Sequence, residues 1–272
     1  MAVKTSNEAT ETTVKDFKYY TGVIPYRVVA VNPSLKELKE IGIEYMQKEP
    51  EYVTEQTFND NVVKSTIVDF WMKSVPDPDH PDMEILNNIR FRINHEPWVG
   101  NNTGKQQYIN KYGRTAWALE ESDLDENQYF KNEGTRKSHR GEEELHKFLF
   151  SWLNMSYDDK NEEWDECLVN ADKLIAGDFS ELKEIVVSAK EYVVKVLTGV
   201  DVNEKDGKIR YYQSFYNKMF LKHNQTSTNR LEEFVSKEYN EFKADFYTFD
   251  IQEFDKSAKP DEDPVTEAKE VF

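Results

Sequence analysis

Cations and large aromatic residues alternate along the chain between Asn87 and Trp117. This stretch contains one acid and five cations, and the cations are Arg90, Arg92, Lys105, Lys111 and Arg114. The aromatic residues of the same stretch are Phe91, Trp98, Tyr108, Tyr112 and Trp117. Single-stranded nucleic acid is held by cations that follow its phosphates and by rings on which bases stack, each base contributing about 1–3 kcal/mol. These residue types therefore indicate a surface that binds single strands.

The competing interpretation is that the rings fill a β core and the cations are merely solvated. A period of two over Ile89–Ile93 puts Arg90 and Arg92 on one face of a strand and Phe91 on the other. A core position therefore suits Phe91, but it does not explain so many cations in a protein of net charge −17. We predict phosphate contacts from Arg90, Arg92, Lys105, Lys111 and Arg114, and stacking surfaces from Trp98, Tyr108, Tyr112 and Trp117.

Charge is distributed unevenly along the chain. The 52 acids outnumber the 35 cations, which by itself argues against a polyanionic partner. Residues 131–140, however, carry four cations and one acid, and they extend the predicted path by Lys131, Arg136, Lys137 and Arg140. Residues 155–185 have a net charge of −7 and residues 250–272 a net charge of −5. The acidity is therefore concentrated outside the predicted surface.

The sequence offers few residues for catalysis or for a cofactor. The five histidines are scattered, and one cysteine, Cys167, excludes a multi-cysteine zinc site, so we expect no metal and no cofactor. Acids surround Cys167 and disfavour its thiolate, which is typical of a packed cysteine. The chain has no nucleophile elbow, Walker loop or dinucleotide-binding glycine motif. Asp69, in a strand-like segment, is the one acid that would suit a metal-dependent nuclease, and an exposed strand residue or an edge gatekeeper is its commoner role.

The apolar periodicity predicts an α+β fold that is β-rich before about residue 140 and α-rich after it. The predicted strands are 26–31, 64–75, 89–93, 106–112, 115–119 and 210–221. The predicted helices are 34–47, 142–154, 180–197 and 229–243. Ser34 and Glu37 form the capping-box pattern of a helix start.

We predict one domain, residues 17–254, between two polar ends. Residues 1–16 are predicted to be a flexible arm, and residues 255–272 a disordered acidic tail that ends on Val271 and Phe272. Such a tail can occupy a basic groove in the absence of nucleic acid, and its apolar end can dock on partner proteins. No apolar run approaches membrane-spanning length and no secretory signal begins the chain, so we expect a soluble protein without a membrane partner.

Four strings together resemble single-stranded DNA-binding proteins of large tailed bacteriophages, including crAss-like phages. They are YRVVAVNPSLKEL (26–38), GKQQYINKYGRTAW (104–117), RGEEELHKFLFSWL (140–153) and AGDFSEL (176–182). The resemblance extends over roughly residues 17–255. It implies an OB-like antiparallel β-barrel in the N-terminal half with helical additions in the C-terminal half. By this motif, the resemblance implies a DNA-binding role for Lys105, Tyr108, Lys111, Arg114 and Trp117.

The resemblance also implies a role in phage DNA replication and recombination, in the cytoplasm of the infected host. Single-stranded DNA is then the expected partner, together with replication or recombination proteins through the acidic tail. The main alternative is a virion or scaffold protein whose aromatic surface meets another protein. A metal-dependent nuclease using Asp69 is the third interpretation. Residue patterns do not choose between DNA and RNA or set the oligomeric state.

Overall fold

The computed structural model describes residues 17–58, 61–110, 113–124, 135–154, 171–205, 208–222 and 250–256. The strands in these ranges are β1 (Tyr20–Val31), β2 (Val53–Phe58), β3 (Asn61–Ser74), β4 (Leu86–Asn94), β5 (Gln106–Ile109), β6 (Thr115–Ala118), β7 (Arg136–Lys137), β8 (Val194–Lys205), β9 (Lys208–Lys222) and β10 (Gln252–Glu253). The helices are α1 (Leu35–Glu40), α2 (Glu142–Trp152), α3 (Ala171–Ile175) and α4 (Ser180–Ser188), with a 3-10 turn at Glu121–Leu124. The predicted α+β class is confirmed.

The strands form two antiparallel sheets. The large sheet has the order β2-β3-β1-β8-β9. Two further strands pair outside this path: β4 pairs with β3, and β10 pairs with the start of β1. The small sheet has the order β6-β5-β7. In the part of the chain that the structure describes, no ladder joins β4 to β9, although Asn87 Nδ2 donates to the Gln213 carbonyl over 2.8 Å. The sheet is therefore not closed into a barrel, contrary to the closed form that the resemblance implies.

The main core lies between the large sheet and α2. Along β4 the residues Ile89, Phe91 and Ile93 are buried, as the alternation predicts, because their face turns towards α2. Phe148 of α2 is fully buried, and its ring centroid lies 4.8 Å from that of Phe70 on β3. Aromatic side chains thus supply the apolar area that a chain with only 38% apolar residues needs.

Helix α1 begins as predicted but ends early. Ser34 and Glu37 make the reciprocal bonds of a capping box, which confirms the predicted start. The helix ends at Glu40, and not at Gln47, because Gly42 adopts a left-handed conformation with φ 99°. Ile41 and Ile43 then turn back onto Trp71, which fixes the segment over the outer face of β3.

The prediction of a helix over 180–197 is wrong beyond Ser188. Leu182, Ile185 and Val186 form the buried stripe of α4, but Val194 begins β8. At this point the apolar residues fit both a helical and a strand period, and antiparallel pairing with β1 favours the strand. Strands β8 and β9 consequently pair as a long hairpin, so the described part of the C-terminal half is not α-rich. The strand predicted over 210–221 is confirmed within β9.

Several predicted elements lie outside the described residues. They are the arm (1–16), the helix at 229–243 and all of the acidic tail beyond Lys256. Residues 250–256 run back along the start of β1, where Tyr20 pairs with Glu253. Among the residues that the structure describes, no helix is both long and apolar enough to cross a membrane.

Candidate nucleic-acid interface

Strand β4 presents Arg90 and Arg92 on the face opposite the core. Both residues are exposed, whereas Phe91 between them is fully buried, so the predicted alternation is confirmed. Arg90 lies opposite Asp69 of β3, and Arg92 lies opposite Ile67. Opposite residues of an antiparallel pair share a face, so these four side chains lie on one face of β3 and β4, on which Ile67 and Asp69 are buried and the two arginines are exposed.

The charge of Arg90 is largely compensated by Asp69. Arg90 Nη2 lies 2.7 Å from Asp69 Oδ2, and Asn88 Nδ2 donates to Asp69 Oδ1. Only 3% of the Asp69 side chain is exposed, which contradicts the exposed strand position expected for it. Both carboxylate oxygens are engaged, and no group of three or more potential metal ligands occurs in the described ranges. The contacts of Asp69 are those of a buried carboxylate that pairs with the exposed Arg90 guanidinium and orients it.

Arg92 keeps a charge that its hydrogen-bond partners do not neutralise. Its Nη1 donates to Ser65 Oγ over 3.0 Å and to Gln56 Oε1 over 3.3 Å. A hydroxyl and an amide position the guanidinium without cancelling its charge. Arg92 is therefore better suited than Arg90 to bind a phosphate.

Two tryptophans meet at the end of β4, where the small sheet begins. The ring centroids of Trp98 and Trp117 lie 5.1 Å apart with an interplanar angle of 75°, an edge-to-face pair. Trp117, on β6, remains 39% exposed. The Arg140 guanidinium lies over the Trp98 ring at 6.0 Å from its centroid. One cation and two rings, distant in sequence, are thus brought together.

Exposed apolar and cationic side chains adjoin this pair in the chain. Val99 directly follows Trp98, Leu119 lies two residues after Trp117, and both side chains are exposed. Lys105 is exposed in the loop before β5, where its amide donates to Thr103 Oγ1. The patch therefore carries exposed apolar and cationic side chains, and two exposed acids, Glu96 and Glu120, adjoin it in the sequence.

Other predicted site residues lie elsewhere. Tyr108 is buried with Ala118 and Leu124, so its ring offers no stacking face, and burial raises the pKa of its hydroxyl. Arg114 is half-buried in the turn after β5, where its amide donates to Asn110 Oδ1. Three predicted residues lie outside the described part of the chain, namely Lys111, Tyr112 and Lys131.

Glu142, which the sequence gives no reason to select, is a buried centre of hydrogen bonds beneath this patch. Its carboxylate is 1% exposed, binds both terminal nitrogens of Arg136, and accepts from the amide of His139 over 3.0 Å. His146 Nε2 lies 3.4 Å from the same carboxylate. Of the second basic segment, Arg136 is consequently paired, while Lys137 and Arg140 remain exposed.

We expect acid to destabilise the fold through Glu142. Burial opposes the charge, but hydrogen bonds from His146 and Arg136 outweigh it and lower the pKa of Glu142 to about 2. Because this pKa is depressed in the folded state, the stabilisation is complete above the unfolded value, about 4.3, and is lost as the pH falls towards 2. Chemical denaturation at a series of pH values should show this loss, and Glu142→Gln should flatten it. An equally steep acid dependence in the variant would contradict the assignment.

No protein-family model, curated protein or solved structure matches this chain in the three comparisons that were made.

Proposed function

We propose that this protein binds single-stranded DNA without sequence specificity and performs no catalysis. The observation that carries the proposal is the Trp98–Trp117 pair with Arg140 over one of its rings. An exposed ring offers a stacking face to any base, and an adjacent cation pairs with the phosphate of the same nucleotide. Sequence-independent binding follows because every base has an aromatic face.

The main-chain contacts support a continuous path from β4 to the tryptophans. Asn94, two residues after Arg92, donates its amide to the Arg140 carbonyl over 3.1 Å. Trp98 in turn donates its amide to Ser138 over 2.9 Å. The segment that carries Arg140 therefore runs beside the one that leads from Arg92 to Trp98. We define the binding path as Arg92, Arg140, Trp98, Trp117 and Lys105.

The strand order supports an OB-like architecture with an open seam. The sheet contains β4-β3-β1-β8-β9, which is the order third, second, first, fourth and fifth of the OB fold. Helix α2 lies between the third and fourth of these strands and packs under the seam between β4 and β9. OB folds bind oligonucleotides on the face of their second and third strands. Arg92 lies on the corresponding face here.

The biological setting belongs to the proposal as well. The sequence resemblance supports a role in phage DNA replication or recombination in the host cytoplasm, with the acidic tail engaging other proteins of that process. A virion or scaffold protein is the second candidate. Val99 and Leu119 favour it because they give the patch exposed apolar side chains of the kind that protein partners cover.

Titration with oligo-dT at several salt concentrations tests the proposal. Binding should quench tryptophan fluorescence, because Trp117 stacks on a base. If the three cations of the path, Arg92, Arg140 and Lys105, meet phosphates, the logarithm of the binding constant should fall with the logarithm of salt at a slope near −2. Duplex DNA and oligo-U of the same length serve as comparisons for strand and sugar preference. If oligo-dT neither quenches the tryptophan fluorescence nor, when labelled, changes its anisotropy on mixing with the protein, the scaffold alternative is favoured.

A further inference from the structure

We propose that Glu142 is a positioning residue for the binding path. This inference rests on the proposed function. The buried carboxylate holds residues 136–141 in the arrangement that keeps Arg140 over Trp98. Glu142 itself lies in the interior, so it acts on nucleic acid only through Arg140 and Trp98.

The segment 136–141 links three parts of the molecule. Its first residue, Arg136, pairs with Ile109 of the small sheet, and His139 forms a bridge with Pro97 just after β4. Its last residue, Gly141, directly precedes α2. Glu142 reaches back from α2 to Arg136 and His139, so its carboxylate ties the helix to both sheets.

The helix start depends on this carboxylate. Gly141, before α2, has a left-handed φ of 93° and supplies no side chain to cap the helix. A Cβ on Gly141 would clash with the Arg92 carbonyl oxygen, so α2 begins directly against the backbone of β4. If the charge of Glu142 is removed, the buried part of Arg136 loses its counter-ion and the His139 amide its strongest acceptor. The segment is then free to shift.

Arg140 is sensitive to such a shift because its contact is already long. The guanidinium lies 6.0 Å from the Trp98 centroid, at the outer limit of about 6 Å for a cation over an aromatic ring. A small displacement of residues 136–141 therefore removes the contact. The same displacement moves Ser138, to which Trp98 donates its amide, and so changes the angle between the two tryptophans.

Glu142→Gln tests the inference, with Glu144→Gln as the matched control. Both residues lie in the first turn of α2, so both substitutions remove the same charge near the helix dipole, but Glu144 is exposed. We expect Glu142→Gln to weaken oligo-dT binding about tenfold and to alter the circular-dichroism couplet of the tryptophan pair. Trp117→Phe should abolish the couplet, which would assign the signal to the Trp98–Trp117 pair. Glu144→Gln should change neither signal.

A double variant separates positioning from general stability. Arg136→Gln with Glu142→Gln removes the buried carboxylate together with the half-buried guanidinium that it binds, so no charge is left without its partner, which should restore stability relative to Glu142→Gln alone. Because the Glu142 carboxylate still no longer holds Arg136 and His139, oligo-dT binding should remain weak even though the double variant is fully folded. Recovery of wild-type binding in the double variant would overturn the inference. If Glu142→Gln alone does not fold, Arg136→Gln carries the same two measurements.

The readouts distinguish failure of this inference from failure of the proposed function. If the wild-type protein does not bind oligo-dT, the proposed function fails, and the couplet still reports whether Glu142 positions the pair. If the wild type binds but Glu142→Gln leaves both the affinity and the couplet unchanged, the positioning role is refuted while DNA binding stands.

Discussion

Trp117→Ala should weaken binding to single-stranded oligonucleotides by about 5- to 150-fold. Loss of one stacked base costs about 1–3 kcal/mol, and Trp117 is the ring of the pair with a broad exposed surface. Trp98 contacts it edge to face and lies under Arg140, so Trp98 supports the stacking ring. The change should appear at every salt concentration with the salt slope unaltered, because no phosphate contact is lost. Fluorescence anisotropy of a labelled oligonucleotide measures it.

Tyr45→Ala is the matched control for this substitution. Tyr45 is also aromatic and highly exposed, but it lies in the segment after α1 rather than on the binding path. Its removal should leave the affinity unchanged. An unchanged affinity in Trp117→Ala as well would assign the tryptophan patch to a protein partner and would favour the scaffold alternative.

The local pattern of β4 was predictable because its two faces meet different surroundings. Period-two alternation put Phe91 in the core and Arg92 outside, and the structure confirms both. The capping box at Ser34 was equally readable, since its two bonds lie within four residues. Such predictions succeed where the energetic reason is local.

The strand at Val194 and the burial of Tyr108 could not be read in the same way. Val193 and Leu197 continue the helical stripe of α4, whereas Val194 and Val196 suit one face of a strand, and only β1, some 170 residues earlier in the chain, decides between the two. For Tyr108, alternation says that it and Gln107 face opposite ways but does not say that both faces of β5 are covered, as they are in the structure. The 3-10 turn at Leu124 covers the side of Tyr108.

The cations of the site could be counted in the sequence, but the sequence does not tell which of them are paired with an acid. Arg90 and Arg92 are two residues apart on one face, yet Asp69 compensates the first and neutral groups bind the second. The partnership of Arg140 with Trp98 depends on residues 136–141 folding back beside the end of β4. Which cations remain available is therefore a property of the tertiary structure.

Phe148→Ala should lower the free energy of unfolding by about 3–5 kcal/mol, the usual cost of truncating a buried phenylalanine. Phe148 is fully buried, and its ring centroid lies 5.4 Å from that of Phe91 on β4 and 5.0 Å from that of Phe220 on β9. No ladder joins those two strands in the described part of the chain, so this ring is a main contact across the open seam. Denaturant unfolding followed by circular dichroism measures the loss.

Val187→Ala provides the control, because Val187 is exposed on α4 and its truncation should change stability by less than about 0.5 kcal/mol. Phe148→Leu should fall between the two, since it keeps part of the ring's volume, and it remains measurable if the alanine variant does not fold. A loss below about 1 kcal/mol in Phe148→Ala would mean that the seam closes over the cavity without the ring. In that case the contact of α2 with β4 and β9 would not be what holds the open sheet together.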